Sequence, residues 1–150
     1  ELVVHLDSNL PNDQPSKRVR LKPEGPGAPQ VWLLGSSDFS GVLAAQLGLR
    51  FAFAHFINAQ GGDAVMRYFK EHFTPSARED QPHTLLCCSV SCGETDAEGE
   101  RMAKVVDLRR LEMAYNLDTP VPTLEMAEAR RYTEPELAHI RSQRPRLIFG

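Results

Sequence analysis

A glycine and three serines stand together in residues 35–40, directly before a predicted helix. The first backbone N–H groups of a helix have no partner within it and lie at the positive end of its dipole, so an anion such as a phosphate binds well there. Gly35 would let the backbone approach the anion closely, and the hydroxyls of Ser36, Ser37 and Ser40 could donate further hydrogen bonds. The alternative is that Ser37 or Asp38 simply caps the helix, and the spacing favours neither over the other.

His55 is a second candidate for ligand contact. It lies near the end of an apolar run at residues 50–56, which we predict to be a strand of a parallel sheet. Ligands of parallel barrels bind at the carboxyl ends of the strands, although a histidine there can also be satisfied within a packed core. Residues 58–62, which follow, are either a mobile loop over the site or a plain connector.

Three cysteines lie close together, at Cys87, Cys88 and Cys92. Adjacent residues of a strand point to opposite faces, and no second Cys or His pair has the spacing of a zinc site. We therefore predict no metal site and expect three reduced, buried thiols that pack as small core residues.

Helical and extended patterns alternate along residues 30–150. Continuous apolar runs predict strands at residues 30–35, 50–56 and 84–91 and a fourth that starts at Leu147, the first two being buried in a parallel sheet. Helical spacing predicts helices around residues 43–47, ending at Gly48, and over residues 63–73, 96–116, 123–132 and 134–141. This order predicts an α/β fold of about four βα units with parallel strands, which is a partial (β/α)8 TIM-type barrel. A small open α/β sheet fits the periodicity nearly as well.

The first 29 residues form a separate segment in this reading. Residues 1–7 have the pattern of the end of a helix, and residues 8–29 contain five prolines and read as a Pro-rich surface connection. The first residue is Glu1 and the last residues resemble a strand that is just beginning, so we expect both ends to belong to a longer chain.

Composition excludes several classes of function. The net charge is −3 and the basic residues are scattered, so we expect no nucleic-acid partner. The apolar runs are shorter than the roughly 20 residues that cross a bilayer, so we expect a cytoplasmic protein with no membrane contact. We expect the charged residues of the long helix to form a solvated face: Glu98, Glu100, Arg101, Lys104, Asp107, Arg109, Arg110 and Glu112.

Residues 29–150 resemble the bacterial-luciferase-like, flavin-dependent monooxygenases, a family of (β/α)8 barrels. The main carriers are the strand, glycine and serines of residues 31–40, the Leu-Ala-Ala-Gln-Leu-Gly-Leu run of residues 43–49, and the Phe-Ala-Phe-Ala-His-Phe run of residues 51–56. These resemble the fifth and sixth strands of the family barrel, and residues 85–91 and 147–150 resemble the seventh and eighth. The resemblance makes residues 30–150 the C-terminal half of a luciferase-like barrel.

The resemblance also implies a cofactor and its contacts. It places Gly35, Ser36, Ser37 and Ser40 at the phosphate of FMN and His55 beside the flavin ring. It implies that reduced FMN, supplied by a flavin reductase, and oxygen oxidise a small organic substrate. The family's first four strands and its candidate acid and base residues have no counterpart in this sequence, so we assign no catalytic residue.

Two other functions stay open from the sequence. One is a non-catalytic flavin-binding protein built on the same half-barrel, and the other is an unrelated α/β domain that binds another phosphorylated ligand. Half a barrel has open sheet edges and an uncovered apolar face, so we expect this chain to form a homo-oligomer such as a dimer.

Overall fold

The computed structural model describes Val4, Leu6 and residues 11–19 and 28–150. Val4 and Leu6 are helical, and a short 3-10 helix spans Pro15–Arg18. The rest of the predicted helix end and residues 8–10 and 20–27 of the predicted Pro-rich connection lie outside the described residues.

Strands and helices alternate from Trp32 onward, as the sequence predicts. In chain order the elements are β1 (Trp32–Gly35), α1 (Asp38–Leu47), β2 (Arg50–Ala54), α2 (Gly62–Glu71), β3 (Thr84–Cys87), β4 (Ser89–Ser91), α3 (Asp96–Ala114), α4 (Leu124–Ala129), α5 (Glu134–Gln143) and β5 (Leu147–Phe149). A 3-10 helix at Arg144–Arg146 leads into β5. Gly48 ends α1 in the left-handed conformation with φ 59°, which confirms the predicted helix end. The chain is therefore a mixed α/β structure with parallel strands.

The predicted third strand is divided into two strands that belong to different sheets. β1, β2 and β3 form one parallel sheet in that order, and β4 and β5 form a second parallel sheet. The prediction of one continuous strand over residues 84–91 was wrong, because the chain leaves β2 at Cys88 and pairs with β5 from Ser89 onward. An apolar run predicts a strand but does not show which neighbour that strand pairs with.

A cluster of aromatic rings fills the space between the first sheet and its two helices. Phe51 and Phe53 of β2 contact Phe69 of α2 and the alanines of α1, and the ring centroids of Phe51 and Phe69 are 5.5 Å apart. Residues 51–54 are all buried, which confirms the predicted burial of β2. β1 differs from the prediction, since Leu34 on its other face is 53% exposed.

Each sheet has one face packed on helices and one open face. On the first sheet, Leu34 and Leu85 are the register partners on either side of Ala52, and both are exposed. On the second sheet, Val90 and Ile148 pair with each other and are likewise exposed. We call these four side chains the open sheet surface.

Buried charges join α3 to the segment that leads into β5. Asp107 is 5% exposed and accepts a hydrogen bond from Arg144 at 2.5 Å, so its predicted place on a solvated helix face was wrong. Burial raises the pKa of Asp107 above its usual value, and the positive charge of Arg144 opposes that rise. Arg110 donates to the carbonyls of Gln143 at 3.0 Å and Arg146 at 3.3 Å. These bonds fix the direction in which the chain enters β5.

A glycine contact holds the end of β5 against α3. Gly99 is buried in the first turns of α3, and a β-carbon there would overlap the backbone atoms of Gly150. The same Gly150 accepts a hydrogen bond from the N–H of Gly93 at 2.9 Å and donates to the carbonyl of Ser91 at 3.2 Å. Helix and strand can approach this closely because Gly99 has no side chain.

Candidate functional site

The serine turn, residues 36–40, links β1 to α1 at the carboxyl edge of the first sheet. Ser37 is the N-cap residue of α1, with an extended backbone at φ −135° and ψ 164°. The Oγ atom of Ser40 accepts from the N–H of Ser37 at 3.3 Å and donates to the carbonyl of Ser37 at 2.7 Å. The two serines therefore form a capping box, and the hydroxyl of Ser40 is bonded within the turn.

Gly35 is required by this capping geometry. A β-carbon at Gly35 would overlap the Oγ and Cβ atoms of Ser40, which is 8% exposed. Close approach at Gly35 was predicted for the sake of a ligand, and in the structure it makes room for Ser40. The absence of a side chain at Gly35 therefore allows the side chain of Ser40 to occupy the inside of the turn.

The outer side of the serine turn carries both an accessible hydroxyl and a negative charge. Ser37 is exposed and Ser36 is half-buried, so both hydroxyls lie near the surface. Asp38, the first residue of α1, is also exposed, and its Oδ1 atom accepts from the N–H of Phe39 at 2.9 Å. The turn has the donors that a phosphate needs, but an anion bound there lies close to a carboxylate.

Asn58 contacts the serine turn from the neighbouring strand connection. Its Nδ2 atom donates to the carbonyl of Ser36 at 3.3 Å, and its backbone N–H donates to the carbonyl of Ala54 at 3.2 Å. Sequence reasoning included Asn58 only as a member of the connection at residues 58–62. The available signal was an asparagine within a few residues of the end of a strand, where its side chain commonly bonds to nearby backbone.

His55 follows β2 directly and lies at the same sheet edge as the serine turn. Phe53, two residues before it, is the register partner of Gly35. The Nδ1 atom of His55 is buried and, among the residues that the structure describes, has no hydrogen-bond partner. A buried ring nitrogen without a partner is costly, so this atom suits a contact with a ligand or an ordered water.

The cysteines differ from the predicted buried thiols. Cys87 and Cys88 are half-buried, Cys92 is exposed, and all three are free. Their burial was predicted from a continuous strand, whereas the chain changes sheets at Cys88.

Within residues 28–150 and the other described positions, no group of three or more His, Cys, Asp or Glu side chains has an arrangement that could hold a metal ion. No helix in the described part of the chain is both long enough and apolar enough to cross a membrane.

The chain is similar to curated bacterial proteins and to one solved structure. It is 36% identical over 145 residues to the uncharacterized protein YceB of Bacillus subtilis, covering 97% of this chain and 44% of that protein. It is 36% identical over 100 residues to a luciferase-like monooxygenase of Escherichia coli K12, covering 67% of this chain and 29% of that protein. The crystal structure of apo-MsnO8 superposes with a TM-score of 0.77 at 31% identity, over 99% of this chain and 45% of MsnO8.

The relatives are longer than this chain. The chain spans less than half the length of the curated relatives that it matches. No family model matches the sequence. The similarity supports a luciferase-like, monooxygenase-type relationship and the α/β fold of this part of the protein.

Proposed function

We propose that this chain is part of a luciferase-like, FMN-dependent monooxygenase and that its serine turn binds the phosphate of the flavin. The observation that carries the proposal is the position of this helix start, with the exposed Ser37, at the carboxyl edge of a parallel sheet. Ligands of barrel enzymes bind at that edge. The likeness to MsnO8 extends over 99% of this chain, and the luciferase-like monooxygenase matches 67% of it.

The residues present fit a flavin phosphate in most respects. The hydroxyls of Ser36 and Ser37 and those first N–H groups of α1 that are not bonded within the turn would hold the phosphate, while Gly35 and Ser40 keep the turn in shape. The unpartnered Nδ1 atom of His55 lies at the same sheet edge and suits a polar atom of the flavin ring. Asp38 is the unfavourable element, since its carboxylate lies in the same helical turn.

Bound FMN would supply the redox chemistry, in which the reduced flavin and oxygen oxidise a small organic substrate. The residues of this chain would bind and orient the cofactor. In this proposal the chain is the C-terminal half of a (β/α)8 barrel, and the catalytic residues belong to the other half. A flavin reductase would provide the reduced cofactor.

The test compares FMN with riboflavin, which is the same flavin without the phosphate. Flavin fluorescence is titrated with this chain and with the longest natural form of its gene, each as wild type and as Ser37→Ala. We expect the longer form to prefer FMN and Ser37→Ala to weaken FMN binding about tenfold, since a hydrogen bond to a charged group contributes about 1.5 kcal/mol or more. Riboflavin binding should not change.

Ser142→Ala is the matched control, because Ser142 is an exposed serine on α5, away from the serine turn. It should leave both affinities unchanged. Equal binding of FMN and riboflavin by the wild type would contradict the proposed phosphate site. If neither form of the chain binds flavin, the flavin proposal is wrong, and the alternative of an α/β domain that binds another phosphorylated ligand is favoured.

A further inference from the structure

The peptide group between Ser36 and Ser37 is held at both of its ends. Its carbonyl accepts from the Nδ2 atom of Asn58 at 3.3 Å, and its N–H donates to the Oγ atom of Ser40 at 3.3 Å. A trans peptide is planar, with its carbonyl and N–H pointing in opposite directions. Two bonds on opposite sides therefore fix the rotation of this plane.

Asn58 is itself anchored, so it can act as a fixed support. Its backbone N–H donates to the carbonyl of Ala54, the last residue of β2, at 3.2 Å. Its Oδ1 atom accepts from the N–H of Gln60 at 3.1 Å. The side-chain amide has one orientation that satisfies both neighbours, because the N–H of Gln60 needs an acceptor and the carbonyl of Ser36 needs a donor.

The rotation of this peptide plane decides where the hydroxyl of Ser37 lies. Ser37 adopts its extended N-cap conformation directly after the fixed plane, and its Oγ atom is 3.4 Å from that of Ser40. Without the bond from Asn58 only the bond to Ser40 would hold this plane, so the hydroxyl of Ser37 would be less firmly oriented relative to the start of α1. A tetrahedral anion binds best to donors that are already aligned.

We propose that Asn58 is a positioning residue that gives this site its selectivity for a phosphorylated flavin over the same flavin without phosphate. This inference rests on the proposed function, since it concerns the same phosphate site. Asn58 acts through the peptide of residues 36 and 37 and needs no contact with the cofactor. Its effect is therefore confined to ligands that carry the phosphate.

The experiment measures FMN and riboflavin affinities of Asn58→Ala in the longest natural form of the gene. We expect FMN to bind about fivefold more weakly, the effect of one lost hydrogen bond, with riboflavin affinity unchanged. Gln60→Ala is the matched control, because it alters an exposed side chain of the same connection. It keeps the backbone N–H of residue 60, which donates to the Oδ1 atom of Asn58. It should leave the ratio of the two affinities at its wild-type value.

Riboflavin binding also reports whether the variant has a folded flavin site. Equal weakening of FMN and riboflavin, or unchanged FMN binding, would overturn the role of Asn58. A wild type that does not distinguish FMN from riboflavin would overturn the proposed phosphate site itself. A preference for FMN in the wild type that survives in Asn58→Ala would overturn the present inference and leave the phosphate site standing.

Discussion

The carboxylate of Asp38 has two opposing effects at the start of α1. It accepts from the N–H of Phe39 and complements the positive end of the helix dipole, which stabilises the helix by about 0.3–1 kcal/mol. It also repels any anion that binds to the same turn. Helix stability and phosphate binding therefore make opposite demands on this residue.

Replacement of Asp38 separates these two effects. We expect Asp38→Asn to bind FMN about two- to fivefold more tightly, because repulsion between exposed like charges amounts to about 0.5–1 kcal/mol. The same variant should be slightly less stable. FMN titration at low and high salt measures the first effect, which salt should weaken.

The control for Asp38→Asn is Asp63→Asn in the first turn of α2, which also removes an exposed carboxylate near a helix start. It should leave FMN affinity unchanged. Equal tightening in both variants would point to net charge and not to the serine turn, and weaker FMN binding in Asp38→Asn would place the phosphate elsewhere.

The sequence identified the residues of the serine turn but not the roles of all of them. The sequence offered Ser37 as a helix cap, and Ser37 is the N-cap residue of α1. The dependence of Gly35 on Ser40 and the bond from Asn58 to Ser36 join residues on different elements. Such contacts depend on how β1 and β2 align, and residue spacing along the chain does not contain that alignment.

At the scale of elements, local patterns predicted the helices well and the sheet less well. Gly48 marks a helix end, and this signal depends on only a few neighbouring residues. The division at Cys88 arises because β4 pairs with β5, which lies about 60 residues further along the chain. A pairing between such distant segments is not visible in the local sequence. Asp107 was misplaced for the same reason, since Arg144 is its partner.

The start of α5 should make stability depend on pH. Glu136 accepts from the N–H of Thr133 at 2.7 Å and from its hydroxyl at 2.9 Å, and it pairs with Arg130 at 2.9 Å. These donors, led by the backbone N–H of Thr133, lower the pKa of Glu136 below its usual 4.5. A lowered pKa means that the stabilisation is present above about pH 4.5 and is lost as the pH falls through the folded value.

We expect Glu136→Gln to be less stable than the wild type at neutral pH, with the difference shrinking in acid. Urea unfolding followed by circular dichroism from about pH 7 to about pH 3 measures both curves. Glu134→Gln is the control, since Glu134 begins the same helix but is exposed. A stability difference for Glu136→Gln that is constant with pH would contradict the assignment.

At the scale of the whole molecule, the open sheet surface is the feature that most needs a partner. Leu34, Leu85, Val90 and Ile148 are exposed on the faces opposite the helices. Exposed apolar patches on parallel sheets are unusual in monomeric proteins, because such sheets are normally covered on both faces. In the proposed barrel these side chains face the other half.

We expect the isolated 150-residue chain to self-associate through this surface. Val90→Lys combined with Ile148→Lys should shift it toward the monomer, because association would then bury two charges. Sedimentation velocity at micromolar concentration measures the distribution. Val121→Lys, on an exposed residue between α3 and α4, should leave it unchanged. A wild-type chain that sediments as a clean monomer would argue strongly against the half-barrel.

The contact between Gly99 and Gly150 restricts which substitutions codon 99 can tolerate. Every single-nucleotide missense change in a glycine codon introduces a residue with a β-carbon, and at Gly99 that atom would meet the backbone of Gly150, which has no rotamer with which to move aside. In a saturation library selected for folded protein, codon 99 should therefore retain synonymous changes and little else. The exposed Gly61, where a β-carbon would meet no atom within 4 Å, should tolerate more substitutions, with Asn preferred at its φ of 75°.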